Sequence, residues 1–327
     1  MKVQNPHDKF FKETLGNVAT AKDFLVHYLP EHFMKHIDVS TLEPQKDSFI
    51  NSDLAESFSD LLFKVDILEK ESYIYFLFEH KSYPDKGIAF QLLKYMVEIW
   101  EAKTNKEEVK ELPIILPLVL YHGRENWRIS TNLGAMLKGY EELSQDLKVF
   151  VPNFEYLLYD VSVFSDEEIK GKAQLRILLT LFRDIFTKET EELHQAIRKS
   201  ILYLNELEDK QTGIEYLETM IKYVFSVRNH LTKTDMNQII RVIERTYPEG
   251  SDVAMTIANI LKEEGREEGR EEGLKEGKEA GAVAALSEIA IQQLIEKFGK
   301  VPEDIKDGIL KSDTVSLKLL LANIFRY

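Results

Sequence analysis

Two apolar segments separated by a short polar link, 60–67 and 73–78, restrict this chain to folds built around a central sheet. From Asp60 to Ile67 the residues alternate. Leu61, Phe63, Val65 and Ile67 fall on one side, and Asp60, Leu62, Lys64 and Asp66 on the other, which predicts a strand with one well-buried face. Tyr73 to Phe78 is apolar on both faces and rich in aromatic residues, as a central strand requires, and turns polar only at Glu79-His80-Lys81. A charged cluster at the end of such a strand is expensive unless it is paired or holds a cation.

The flanking sequence supplies the rest of an α/β or α+β core. Phe10, Phe11, Leu15, Val18, Phe24, Leu25 and Leu29 recur at helical spacing before Pro30. Pro84-Asp85-Lys86-Gly87 is turn chemistry, and Ile88 to Lys103 reads as a helix with Gln91, Lys94, Glu98 and Glu101 on its polar stripe. Further strands are expected at Ile114 to Tyr121, ending at His122-Gly123, and over Tyr156 to Val161. Beyond Ser165 the strand signal disappears, and segments 166–187, 190–208, 213–228 and 235–246 look helical. The expected organisation is therefore a mixed central sheet flanked by helices over 1–165, an all-helical region over 166–260, and a charged helical tail over 261–327.

That tail places glycine at every fourth residue, at 265, 269, 273, 277 and 281. With 3.6 residues per turn, such a period keeps the glycines on one slowly drifting stripe. Each costs roughly 1 kcal/mol relative to alanine, and neighbouring Glu–Arg pairs return only about 0.2–0.5 kcal/mol each. Close packing against a partner helix, as in a homodimer, and a solvated connector are equally compatible with this pattern.

Composition narrows the chemistry. The chain has no cysteine, which removes disulfides, thiolate metal sites and a cysteine nucleophile and leaves oxygen and imidazole ligands. Its apolar runs are too short to cross a bilayer and its N-terminus has no signal-peptide pattern, so a soluble, cytoplasmic protein with no membrane partner is expected. A net charge of −14 argues against a protein that coats nucleic acid over its whole surface, although a local basic groove remains compatible with it.

The residues that carry chemistry follow from the strand pattern. Glu79 and Lys81 are alternate residues and can meet Asp60 from the adjacent strand, giving two carboxylates beside an ammonium. Two oxygen ligands, the main-chain carbonyl of His80 and waters satisfy Mg2+, which favours octahedral oxygen coordination. The matching reaction is phosphodiester hydrolysis with Lys81 stabilising charge on the phosphorane. Spacing alone favours a plainer arrangement, Asp60 opening a strand and Glu79 and Lys81 forming a surface ion pair.

Five ordered segments carry a more specific resemblance. His7-Asp8-Lys9-Phe10-Phe11-Lys12, Asp60-Leu61-Leu62-Phe63-Lys64-Val65, Leu77-Phe78-Glu79-His80-Lys81-Ser82, Gln91-Leu92-Leu93-Lys94-Tyr95 and Pro117-Leu118-Val119-Leu120-Tyr121-His122-Gly123 resemble the recombination-promoting nuclease family, also known as YhgA-like putative transposases. The resemblance covers roughly residues 5–205 and implies a PD-(D/E)XK restriction-endonuclease-like core, DNA cleavage dependent on Mg2+ or another divalent cation, and a role in recombination or mobile-element biology. It makes Asp60 and Glu79 the metal ligands, Lys81 the catalytic lysine and Gln91 the motif glutamine. Ser59 stands where the family name has proline.

Asp8, Tyr95 and His122 are accessory candidates. Asp8 is expected to cap the first helix, and His122, after its strand, to make a turn rather than approach DNA. Lys9, Lys12, Lys94 and Arg124 are the weak candidates for phosphate contacts. The alternative reading is a nuclease-like binding module without turnover whose tail mediates self-association.

Overall fold

The computed structural model describes residues 5–45, 60–79, 84–107, 111–186, 190–228 and 232–324. They divide into two compact units, 2–257 and 258–327.

The first unit is built on a five-stranded mixed sheet in the order β1-β2-β3-β4-β5. Its strands are β1 (Ile37–Gln45), β2 (Asp60–Ile67), β3 (Lys70–Glu79), β4 (Ile114–Tyr121) and β5 (Leu157–Asp160). The first three are antiparallel neighbours. β4 lies parallel to β3, and β5 parallel to β4. Strands β2 and β3 form a hairpin in which Ile67 pairs with Lys70. Its two loop residues, Leu68 and Glu69, both take positive φ, 53° and 60°. A two-residue hairpin loop needs that geometry to match the twist of the strands, though Asn-Gly is the usual way to reach it.

Both faces of the sheet are covered. Helix α1 (Pro6–Leu15) and helix α2 (Val18–Tyr28) precede the sheet. Asn17 starts α2 by accepting hydrogen bonds from the amides of Ala19 and Thr20. Phe24 of α2 packs edge-on against Phe76 of β3, which in turn meets Phe63 of β2. A short helix, α3 (Glu31–Met34), leads into β1. On the other face lies α4 (Ile88–Glu107), which buries Ile88, Leu92, Tyr95, Met96 and Ile99 against Leu62, Tyr73, Tyr75 and Leu77. Leu62 is thus buried on the side of β2 expected to be polar, because α4 closes over it. Asp85 sets the start of α4 by accepting from the Gly87 amide at 2.7 Å.

β1 carries no alternating signal in the sequence, for two reasons. Its pairing with β2 shifts register between Asp38 and Glu43, which breaks the two-residue period. It also contains Pro44, which only an edge strand tolerates readily. Thr41 bridges the irregularity by accepting from the Asp66 amide at 2.9 Å.

After a one-turn helix, α5 (Gln145–Lys148), and β5, the unit continues in four helices: α6 (Ala173–Asp184), α7 (Thr190–Leu204), α8 (Lys210–Val227) and α9 (Lys233–Thr246). Of these, α6 and α8 pack on the N-terminal helices. Phe10 of α1 stacks on Tyr223 of α8 at 4.5 Å and meets Phe182 of α6 edge-on. Buried Thr14 and Tyr216 share a hydrogen bond of 2.7 Å.

Helix α10 (Ser251–Phe298) runs for 48 residues and contains the glycine stripe. An added Cβ at Gly265, Gly269, Gly273, Gly277 or Gly281 would meet no atom within 4 Å, so the stripe packs on nothing described in this chain. In the second unit Ala290 of α10 packs with Ile309 of α11 (Glu303–Leu310) and Leu317 of α12 (Thr314–Asn323). Among the described residues no helix is long and apolar enough to cross a membrane.

Candidate active site

The register of β2 and β3 fixes where the two acidic positions fall. Asp60 lies opposite Leu77, and Glu79 is two residues further along β3, so positions 60 and 79 are diagonal neighbours on one face of the ladder. Such neighbours stand roughly 7–8 Å apart in an antiparallel pair. Leu62, Tyr75 and Leu77 belong to the same alternating set and meet α4. Glu79 also pairs with Tyr121 at the C-terminal end of β4, and Tyr121 pairs with Asp160 of β5. The side chains of Asp60 and Glu79, and the whole of His80 and Lys81, lie outside the described residues. Among the described residues no group of three or more His, Asp or Glu could hold a metal ion.

The polar stripe of α4 is not uniformly open to solvent. Lys94 and Glu101 are exposed, whereas Gln91 and Glu98 are half-buried. The Gln91 Nε2 and one Glu98 carboxylate oxygen are closed to solvent, with no hydrogen-bond partner among the described residues. An enclosed amide left in that state costs about 1–3 kcal/mol, so a water or ligand oxygen is its natural complement. Tyr95, one turn on from Gln91, is only 1% exposed and its ring lies 5.1 Å from that of Tyr75. It is therefore a core side chain.

The loop after β4 lines a cleft of about 630 Å³ with Pro84, Lys86, Arg124, Glu125, Asn126, Arg128 and Ile129. Of the four basic candidates, Arg124 alone is in this lining. Lys9 lies 3.8 Å from Glu13, Lys12 is exposed, and Lys94 sits 4.8 Å from the ring centre of Phe90.

Asp8 does not cap α1. Asn5 occupies that position, in a left-handed conformation with no side-chain cap, because Pro6 begins the helix. Asp8 falls in the first turn, where a carboxylate still favours the helix dipole. His122 is not a surface turn residue either. It is fully buried, with the rings of Phe182 and Phe186 stacked at 4.5 and 4.7 Å, and its Nε2 lies 3.2 Å from Nδ1 of His7. That same His7 nitrogen lies 3.0 Å from the Tyr223 hydroxyl. The role of His7 was not visible in the sequence, because its partners come from distant helices and leave no local periodic trace.

A family model described as "Putative transposase, YhgA-like" matches residues 5–213. Recombination-promoting nuclease RpnA of Escherichia coli (strain K12) is 31% identical over 80% of this chain and 84% of its own length. The chain belongs to this recombination-promoting nuclease family. The family match takes in the whole sheet and both its helical faces, and ends just inside α8. The family's members differ in activity by name. RpnC of the same strain, 26% identical over 80% of this chain and 82% of its own, is called a recombination-promoting nuclease. RpnE, 28% identical over 80% of this chain and 83% of its own, is called an inactive recombination-promoting nuclease-like protein. No solved structure matches the chain significantly.

Proposed function

We propose that this chain is a metal-dependent DNA endonuclease with a PD-(D/E)XK core, in which Asp60 and Glu79 hold a divalent cation and Lys81 assists hydrolysis of the phosphodiester bond. The observation that carries this reading is the strand register, which makes positions 60 and 79 neighbours on one face at the C-terminal end of β3. A mixed sheet flanked by helices, with acidic positions at the ends of two adjacent strands, is the frame such a centre needs. Membership in a family whose curated relatives are named nucleases supports the activity and its place in DNA recombination.

The donor set suits Mg2+. Two carboxylates, the His80 carbonyl and waters are hard oxygen ligands, and the chain has no thiolate to favour a softer metal. A bound divalent cation would supply Lewis-acid stabilisation of the phosphoryl oxygens and lower the pKa of water. Lys81 would place a fixed positive charge where negative charge builds up on the phosphorane. Gln91, one residue before Leu92 on the helix that covers this face, brings a buried amide donor for a water or phosphate oxygen.

A second reading, a nuclease-fold module that binds without turnover, is favoured by relatives named inactive. Supercoiled plasmid incubated with Mg2+ and purified protein separates the two. Wild type should convert it to nicked and linear forms, and Glu79→Ala from the same preparation should leave it supercoiled. Equal conversion by both proteins would point to a contaminant and remove the hydrolytic reading. Intact plasmid with both would favour the binding module.

A further inference from the structure

The cleft beside β4 gathers positive charge without neutralising it. Lys86, Arg124 and Arg128 are all exposed in its lining, and none makes a salt bridge among the described residues. The chain as a whole carries a net charge of −14, so carboxylates are not scarce. Glu125 contributes the one carboxylate in the described lining, against three cations. Arg124 also stands over the ring of Phe186, 5.3 Å from its centre. Burial, and then the nearby Arg124 guanidinium, hold Arg228 below the ordinary arginine range, a further sign of like charges kept close. Gathering Lys86, Arg124 and Arg128 in one lining costs free energy unless an anion joins them.

Arg124 and Arg128 sit on a loop whose backbone is pinned. The Tyr121 hydroxyl donates to the Glu125 carbonyl at 2.6 Å, and the Trp127 amide donates to Asp160 at 2.8 Å. The Trp127 indole closes the turn by donating to the Ile129 carbonyl at 3.0 Å and packs edge-on against Tyr121. Asp160 is thereby committed to structure. The loop begins just past Tyr121, the β4 residue paired with Glu79, so it leaves β4 beside the end of β3 that carries the acidic position. Cations gathered in an open cleft suit a polyanion whose charges arrive in close succession, as in duplex DNA with one charge per roughly 1.7 Å of axis.

We propose that the cleft lined by Lys86, Arg124 and Arg128 binds the phosphate backbone of duplex DNA and sets its position relative to the Glu79 end of β3. This rests on the nuclease reading for the identity of the polyanion. Phosphate binding of this kind fixes register and orientation and carries no base information.

Fluorescence anisotropy with a labelled duplex, in EDTA and over a series of KCl concentrations, measures binding apart from cleavage. Arg124→Gln/Arg128→Gln should bind at least about tenfold more weakly than wild type, with a slope of log K against log salt shallower by about two, one for each phosphate no longer neutralised. Arg124→Lys/Arg128→Lys should keep most of that slope, because point charges still reach phosphate. Lys311→Gln, a single charge removed from the other compact unit, should behave as wild type, and melting curves establish that each variant is folded. Glutamine variants that match Lys311→Gln in affinity and slope would overturn the proposal, as would wild-type protein that fails to bind duplex at low salt. Glu79→Ala should bind at least as tightly as wild type. Duplex held by the cleft yet never nicked would remove the hydrolytic reading and leave the cleft standing, whereas nicking that survives with unchanged affinity in the glutamine variant would do the reverse.

Discussion

Replacing Lys81 with methionine should slow single-turnover nicking of plasmid DNA by roughly a hundred- to a thousandfold, the usual cost of removing one preorganised donor from a developing oxyanion. Methionine keeps the unbranched shape and most of the length and volume of the side chain, so the loss reports the ammonium itself. At one decade per 1.36 kcal/mol, the expected change amounts to about 3–4 kcal/mol of transition-state stabilisation. Duplex affinity in EDTA should remain within about twofold of wild type, since a group that acts mainly in the transition state contributes little to ground-state binding. Groups that work as one unit are not additive, so Glu79→Ala/Lys81→Met should be no slower than the worse of the two single variants. A Lys81→Met protein that nicks at the wild-type rate would show that the amine is a surface charge, the arrangement that spacing alone favours.

The largest effect on stability is expected at Phe182. This side chain is fully buried and lies against Phe10, His122 and Tyr223, so it joins helices α1, α6 and α8 to the end of β4. Truncating such a phenylalanine removes its transfer free energy and leaves a cavity that the surrounding rings fill only in part. Phe182→Ala should therefore cost about 3–5 kcal/mol. For a unit of this size that corresponds to a fall in melting temperature of roughly 6–20 °C, measurable by circular dichroism. Phe182→Leu, which keeps most of the apolar packing, should lose much less. Equal melting temperatures for wild type and Phe182→Ala would mean that the appended helices are not coupled to the sheet through this cluster.

Much of the sheet was legible in the sequence because burial imposes a two-residue period on strands. The alternation after Asp60, the two-faced apolar run of β3 and the run from Ile114 to Tyr121 all correspond to strands. Helix α4 followed from turn chemistry and an uninterrupted helical pattern. β1 did not, because a register irregularity and Pro44 erase that signal. Residues whose setting depends on distant helices were read less well. His122 looked like a turn residue because it precedes Gly123, but the rings that bury it come from α6 and just beyond. Gln91 fell on the polar stripe, a pattern that does not say whether an amide is enclosed, and the fold encloses it. The cluster of Lys86, Arg124 and Arg128 had no local signature, because it forms only when the loop after β4 folds back over Trp127 beside the turn before α4.

The central claim is that Asp60 and Glu79 share a divalent cation. Calorimetric titration of Mn2+ or Mg2+ into metal-free protein tests this without depending on activity. Wild type should give a saturable binding isotherm that is lost in both Asp60→Asn and Glu79→Gln, with all three proteins equally folded. An isotherm that persists unchanged in either variant would contradict the claim.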